Sequence, residues 1–588
     1  MDLTAVLFSP TLHSVLKNLT LFFLVGSICF YLYKTFIANP LGHIPGPWYT
    51  KVTGIVRKYH AWRHSEHHYY MKLFERYGPI VRVGPNRVGV GEIEMFRKLM
   101  STYDMPKSQM YSDFAVVGEN IFTTRRQEFN KARRRQVGPA FSLGYVRRME
   151  PMIMTEGVDR ICRLFDTQLR VACSVKENKG IQQQQPQDQQ KVLCNIHNAF
   201  STMTTDLISS LAFGKRFGAL DMLIEEEESK LRADKEQHDW RLSAEEKGHA
   251  NKQQLEDNTH LVDEESAQTI MQYSLGTMML MVLTAEIPFI GRIPKWILPA
   301  NIKNLSNLRD NFMQMTCNWV SYYRMQMTKQ MNSSDSSQQR IDIVSAFIKA
   351  HDPETGAMMS DREIASEGTV LLVAGSDTSS NTMVNCIRLL IKHPETYHKV
   401  CNEIRSQFPG GSSTITYTEA VAKLPYLNAV IYETMRLRAS TSGAWPRDTP
   451  EEGITLGDWF IPSGNVICGS IGGVHLNPDT WWMPKRFMPE RFLGPEGEIR
   501  RKNVVVFSAG VRMCPGRHLA MMELVMTLAT VLCRYDFALP TPVSQFSQTG
   551  NEDNENYFTE VEEICHITTA FRYPERDCNF YLSHSGYT

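Results

Sequence analysis

The stretch Phe507-Ser508-Ala509-Gly510-Val511-Arg512-Met513-Cys514-Pro515-Gly516 decides the reading of this chain. A cysteine set between glycines and beside an arginine suits a thiolate ligand to a haem iron. Glycine lets the backbone pass close to a flat macrocycle and turn its N–H groups toward sulfur. Those donors and the metal keep the sulfur deprotonated. Arg512 offers a planar fork of donors for a haem propionate. Most of the remaining cysteines read as buried structural residues.

Upstream, Ser360-Asp-Arg-Glu363 has the form of a capping box and predicts a helix start. The apolar run from Ile364 continues the helix and His393-Pro394 ends it. At 1.5 Å per residue such a helix is roughly 50 Å long, enough to cross a domain. Its middle holds Ala374-Gly375-Ser376-Asp377-Thr378. A mid-helix glycine costs about 1 kcal/mol against alanine. The Thr378 hydroxyl can bond the carbonyl of Ala374 and loosen the turn, leaving room for a diatomic ligand.

Leu424-Pro425-Tyr426 opens a further helix carrying Glu433 and Arg436, three residues apart on one face. Most such pairs lie on surfaces and contribute little. Here the neighbours Leu427, Val430, Ile431, Met435 and Leu437 are apolar, so a buried pair is expected. Pro489-Glu490-Arg491-Phe492 supplies a second arginine. Pro574-Glu575-Arg576 repeats the tripeptide and is a decoy.

The chain has 588 residues and a formal net charge of zero. It can bury a large core, and its charge balance argues against nucleic-acid binding. The twelve cysteines include no C-x-x-C pair, which weakens zinc-ribbon and covalent c-type haem readings. Reduced thiols in a cytosolic domain are expected. The apolar run Leu19 to Ile37, interrupted by Lys34, is close to the roughly 20 residues a spanning helix needs. A cleavable signal peptide is the competing reading, but no small-x-small site follows the run. The positive charges downstream put the body of the protein in the cytosol.

Ile44-Pro45-Gly46-Pro47-Trp48 reads as a stiff linker, and residues 79 to 90 as a hairpin. Gln182 to Gln190 reads as a solvated loop. Residues 222 to 266 are highly charged and read as an exposed helix or a disordered insertion. Ser544 to Asn556 is a shorter polar case of the same kind.

The cysteine loop, continued by Ala520, resembles the haem-binding loop of the cytochrome P450 monooxygenases. The Ala374–Thr378, Glu433/Arg436 and Arg491 signatures stand in that family's order. The resemblance covers roughly residues 44 to 575. It implies a mainly α fold with small β-sheets, preceded by one N-terminal transmembrane helix. Residues 1–43 would be the membrane anchor and 44–588 the haem-thiolate domain, with solvated insertions at about 174–192 and 222–266. The proline-rich linker resembles the hinge of microsomal members. The stretch Leu211 to Gly218 and the overall look are similar to fungal ones.

The resemblance also implies roles. Cys514 is the axial ligand of haem b, and Phe507, Gly510, Gly516 and Gly375 frame the cofactor. Thr378 faces the oxygen to be activated, and Asp377 belongs to the proton route. Glu433, Arg436 and Arg491 lock the core beneath the haem. Alignment on Pro139-Ala-Phe141 makes Arg134 a propionate ligand, joined by Arg512 and by Arg447. The family's usual tryptophan or histidine, four residues before Arg134, is Asn130 here. The basic cluster Arg125, Arg126, Lys131, Arg133, Arg134, Arg135, Arg147 and Arg148 would face a redox partner.

The chain shows no dinucleotide fingerprint, so electrons would come from a separate NADPH-dependent reductase, with cytochrome b5 as an optional second donor. The substrate would be lipophilic, and the setting the endoplasmic reticulum membrane, single-pass, in specialised metabolism. By resemblance the cavity is lined by residues about 108–120, 268–292, the turn Ser440 to Trp445 and part of 541–560. The Ser-Thr-Ser-Gly turn offers hydroxyls to an oxygenated substrate. Two other classes stay open: an electron-independent haem-thiolate isomerase or dehydratase, and a non-catalytic haem-binding membrane protein. Asp377-Thr378 counts against the former.

Overall fold

The long helix Asp361–Lys392 runs through the molecule with most of its residues buried. Its start is the expected capping box. Ser360 Oγ accepts from the Glu363 N–H at 3.3 Å, and a Glu363 carboxylate oxygen accepts from the Ser360 N–H at 2.9 Å. It stops at His393, because Pro394 opens the next helix and disfavours a helical residue before it. The computed structural model describes residues 10–178, 191–243, 267–332, 341–411, 415–540, 562–565 and 568–586.

The long helix packs on Ile196–Phe213, on Ala300–Asn332, and on Arg517–Arg534, the helix behind the cysteine loop. The largest apolar core joins its C-terminal half to Pro425–Leu437 and Arg517–Arg534 through Ile387, Leu390, Val430, Leu427, Val525 and Leu528. Each such side chain, fully buried, contributes about 1.5–3 kcal/mol.

The β-structure is small. One sheet has the order Ile80–Gly84, Arg87–Val90, Val466–Ser470, Ala444–Asp448. Its first two strands are the expected hairpin, with Ile80 opposite Val90 across the Pro85-Asn86 turn. Buried Arg82 fastens the proline linker to this sheet. Its guanidinium donates to Leu41 O at 2.8 Å, Ile44 O at 2.9 Å and Thr50 Oγ1 at 3.1 Å. A Cβ on Gly46 would come within 2.6 Å of Arg82 O, so the close approach requires glycine there.

The spanning helix expected over Leu19–Ile37 is not supported. The α-helix runs Pro10–Leu32 and gives way to a π-helical turn, Tyr33–Ile37, that contains Lys34. Among the described residues, no helix is long and apolar enough to cross a membrane.

Part of the acidic stretch is helical, as one of its two readings held. Ala219–Ser243 docks beside Asp159–Asn178, burying Leu220 and Ile224. Asp206 accepts from the Ala219 and Leu220 N–H groups at 3.0 and 2.8 Å and so caps this helix from outside. Residues 244–266, the glutamine tract and Ser544–Asn556 lie outside the described residues.

Candidate functional site

Four cations converge behind the cysteine loop: Lys107, Arg134, Arg447 and Arg512. Burial pushes the Lys107 ammonium well down, and repulsion from Arg512, Arg447 and Arg134 adds to it. Burial, then Arg447, lowers Arg512 to about 10. Several buried guanidinium nitrogens here have no partner: Arg512 Nε and Nη1, Arg447 Nε and Arg134 Nε. An orphaned buried donor costs about 1–3 kcal/mol, more if charged. Such a cluster is built for an anion with several acceptor oxygens. The paired propionates of a haem satisfy both the charge and the free donors, so these residues fit the group.

The cysteine lies near this cluster, close enough to Arg134 to feel its charge. Cys514 N–H donates to Phe507 O at 2.8 Å, closing the loop. The thiol lies deep in the protein and burial pushes it up, opposed by a bond from the Gly516 N–H and by Arg134. Its surface is nonetheless open, as is that of Ala374 on the long helix. Arg134 Nη2 also donates to Met513 O at 3.0 Å, holding the loop to the helix Gln127–Val137.

On the long helix, Thr378 Oγ1 donates to Ala374 O at 2.8 Å, the bond expected from the motif. The helix stays α-helical through this turn. Burial raises the Asp377 carboxyl, partly offset by a hydrogen bond from Ser376. One residue on, Ser379 bonds Glu523, which stands on the helix behind the cysteine loop. Glu523 is buried, and burial pushes it up to about 8. Glu523 and Lys107 were not singled out from the sequence. A lone acid in the apolar run Met521–Leu528, nine residues after Cys514, was the available signal.

Gly375 and Gly510 also have a packing role. A Cβ on Gly375 would meet Ile208 at 2.6 Å, and one on Gly510 would meet Ser101 Cα at 2.3 Å. Their missing side chains therefore admit neighbouring helices. Gly510 also has φ +56°, which favours glycine.

Beneath the loop the ion network is assembled and dry. Arg436 Nε and Nη2 donate to Glu433 at 2.7 and 2.8 Å, and Arg491 Nε donates to the same carboxylate at 3.3 Å. Glu433 also accepts from the Met488 N–H at 2.8 Å. Arg436 Nη1 donates to His475 O and Pro484 O. The Glu433 and Arg436 side chains are 0% exposed. Arg576 of the decoy tripeptide instead pairs with adjacent Asp577.

Much of the basic cluster is paired with protein carboxylates. Arg133 holds Glu363 and Glu367, Arg135 holds Asp352, and Arg125 holds Asp448. Asn130 donates to Ile121 O at 3.1 Å and accepts from Tyr103 OH at 3.2 Å, which commits it to neighbouring loops.

A family model described as Cytochrome P450 matches residues 44–552. The chain is a cytochrome P450. It is 28% identical over 98% of its length to the cytochrome P450 monooxygenase helB1 of Aspergillus fumigatus, covering 87% of that protein. It is 27% identical to the cytochrome P450 monooxygenase atnE of Emericella nidulans over 90% of each chain. Among solved structures, the cytochrome P450DA heme domain superposes with a TM-score of 0.62 over 92% of this chain and 98% of its own, at 17% identity. That last likeness speaks to fold alone. The protein is thus a P450 monooxygenase, and the family implies thiolate-ligated haem.

Proposed function

We propose that this P450 inserts one atom of dioxygen into a lipophilic small molecule, by hydroxylation or epoxidation, in specialised-metabolite biosynthesis. The carrying observation is Cys514 beside the cluster of Arg134, Arg447 and Arg512, on a loop whose following helix is tied through Glu523 to Ser379, next to Thr378. When bound, the haem-thiolate supplies oxygen activation and the oxidant. The chain supplies the rest. Cys514 ligates, and Lys107, Arg134, Arg447 and Arg512 seat the carboxylates. Burial raises the Asp377 carboxyl, which suits it to relay protons, and Thr378 orients the transfer.

The substrate class follows from the wall. Phe114, Val117 and Met281 are buried together, with Met110, Phe122 and Val370 packed around them. Met110, Phe114 and Val117 belong to one segment read as cavity lining and Met281 to another; Phe122 and Val370 lie outside them. The hydroxyls of the Ser440–Gly443 turn are less available than the sequence indicated. Thr441 donates to Val506 O and Ser442 donates to Ala439 O. An apolar, aromatic wall with its hydroxyl protons engaged favours a hydrophobic skeleton. The fungal relatives support the biosynthetic setting.

Electrons come from a separate NADPH-dependent reductase, with cytochrome b5 as an optional second donor. The protein resides at the endoplasmic reticulum membrane with its catalytic domain in the cytosol. Exposed Leu21, Phe22, Phe23, Leu24 and Phe30 on the N-terminal helix support attachment to a membrane.

The test is the carbon monoxide difference spectrum of reduced membranes, beside a Cys514→Ser control, followed by turnover with NADPH and a reductase. A Soret band at the red-shifted position of thiolate-ligated haem, lost in the control, supports the ligand. Product that needs both NADPH and reductase supports monooxygenation. Product formed without either means an isomerase or dehydratase.

A further inference from the structure

Helix Glu66–Tyr77 meets the hairpin formed by Glu563–Cys565 and Thr569–Phe571 at a second cluster of ligating groups. His67, His68 and Glu563 each offer one ligand atom, all within 4.8 Å of one another. The two imidazole rings lie 3.9 Å apart, centroid to centroid. His67 is 2% exposed, and neither of its ring nitrogens has a hydrogen-bond partner. A neutral imidazole carries one donor and one acceptor, so both are orphaned in the interior. A buried polar atom left without a partner is unfavourable, and among the described residues neither His67 nitrogen finds one.

We propose that His67, His68 and Glu563 form a binding site for a divalent transition metal of the zinc class. Two imidazoles and a carboxylate are a donor set that zinc takes readily, with water completing a tetrahedron. His68 is partly exposed and gives the metal a way in. The Glu563 carboxylate is already oriented: its Oε2 accepts from Arg438 Nη1 at 3.2 Å, with both side chains 7% exposed. The carboxylate offers one ligand oxygen to the cluster, and a hydrogen-bonded carboxylate is the usual outer-shell arrangement. Arg438, Arg388 and Lys72 are the cations near this cluster, and their repulsion limits affinity.

The position gives the metal a task. Cys565 N–H donates to His64 O at 2.8 Å, just ahead of the helix, and Thr569 N–H donates to Ser440 O at 2.8 Å. Ser442 N–H donates to Thr569 Oγ1 at 3.1 Å. A metal at the hairpin base therefore ties the helix to the hairpin that braces the Ser440–Gly443 turn. That last consequence rests on reading the turn as cavity wall; the metal site itself does not.

The experiment uses the full-length, haem-loaded protein. It is treated with EDTA, equilibrated with zinc chloride, desalted, and its zinc-to-iron ratio measured by plasma mass spectrometry. We expect about one zinc retained per iron, the stoichiometry of a single site. His67→Leu, Glu563→Gln and His68→Ala should each lower retention by about tenfold or more at unchanged iron content. His68 is partly exposed, so its variant keeps the test decisive if a buried variant does not fold. Zinc should also raise the melting temperature of the parent and not of the variants. No retained zinc in the parent, or equal retention in all folded variants, overturns the proposal.

Discussion

Glu523 and Ser379 are hydrogen-bonded across the interface between the cysteine-loop helix and the long helix, one residue beyond Thr378. Burial raises the Glu523 carboxyl from 4.5 to about 8. An acid raised on folding stays protonated in the native state while the unfolded chain has released its proton. Its contribution to stability is whole below about pH 4.5 and is lost as pH rises through about 8. Glu523→Gln should remove this slope. Melting temperatures of the haem-loaded pair should diverge with the variant higher as pH climbs across that window, and curves that stay parallel would show that Glu523 is ionised in the fold.

The Glu433–Arg436–Arg491 network has no solvent to replace a lost partner. Glu433→Ala leaves two buried guanidinium groups uncompensated, at about 3–5 kcal/mol. Protein purified from this variant should carry little haem, read as the Soret-to-protein absorbance ratio. Arg576→Ala, at the exposed decoy, should load as the parent does.

Arg512 should show opposite signs in two states. It is one of several mutually repelling buried cations, so Arg512→Leu should raise the melting temperature of haem-depleted protein. The same change removes charged donors for the propionates, each worth about 1.5–3 kcal/mol. Haem affinity, measured by transfer to apomyoglobin, should fall about tenfold to a hundredfold. A loss of stability in both states would contradict the electrostatic account.

Gly510→Ala tests the loop's backbone. Its φ of +56° costs a side-chain-bearing residue about 1–2 kcal/mol. The added Cβ would also press on Ser101 Cα, which cannot yield as a side chain can. Haem loading should drop sharply, whereas Gly356→Ala, which carries the positive-φ strain alone with open space around it, should lose about 1–2 kcal/mol of stability and keep its haem.

Thr378→Ala separates proton handling from binding. Haem content and the carbon monoxide spectrum should be unchanged. Product per NADPH consumed should fall about a hundredfold, the scale of a lost positioned acid–base group. An unchanged yield would remove Thr378 from the reaction.

What could be read from sequence was local or strongly patterned. The capping box at Ser360, the stop at Pro394 and the Thr378-to-Ala374 bond depend on residues three or four apart, so short-range geometry sets them. The Glu433–Arg436 pair was legible because apolar neighbours on its own helix predicted burial. The Leu19–Ile37 run is not supported as a spanning helix, because composition does not say where a helix changes to a π turn.

Residues far apart in the chain were decided by packing. Asn130 is committed to Ile121 and Tyr103, and Lys107 joins Arg447 and Arg512 from a different part of the chain. Gly375 and Gly510 serve neighbouring helices, a role set by which element lies opposite. His67 and His68 meet Glu563 across nearly the whole sequence. The amino-acid sequence by itself determined the haem-thiolate loop, the long helix and the ion pair, because each is written in a short window. Only the tertiary structure decided the charge cluster, the Glu523–Ser379 contact and the histidine site, because desolvation and orphaned donors exist only once distant segments exclude water together.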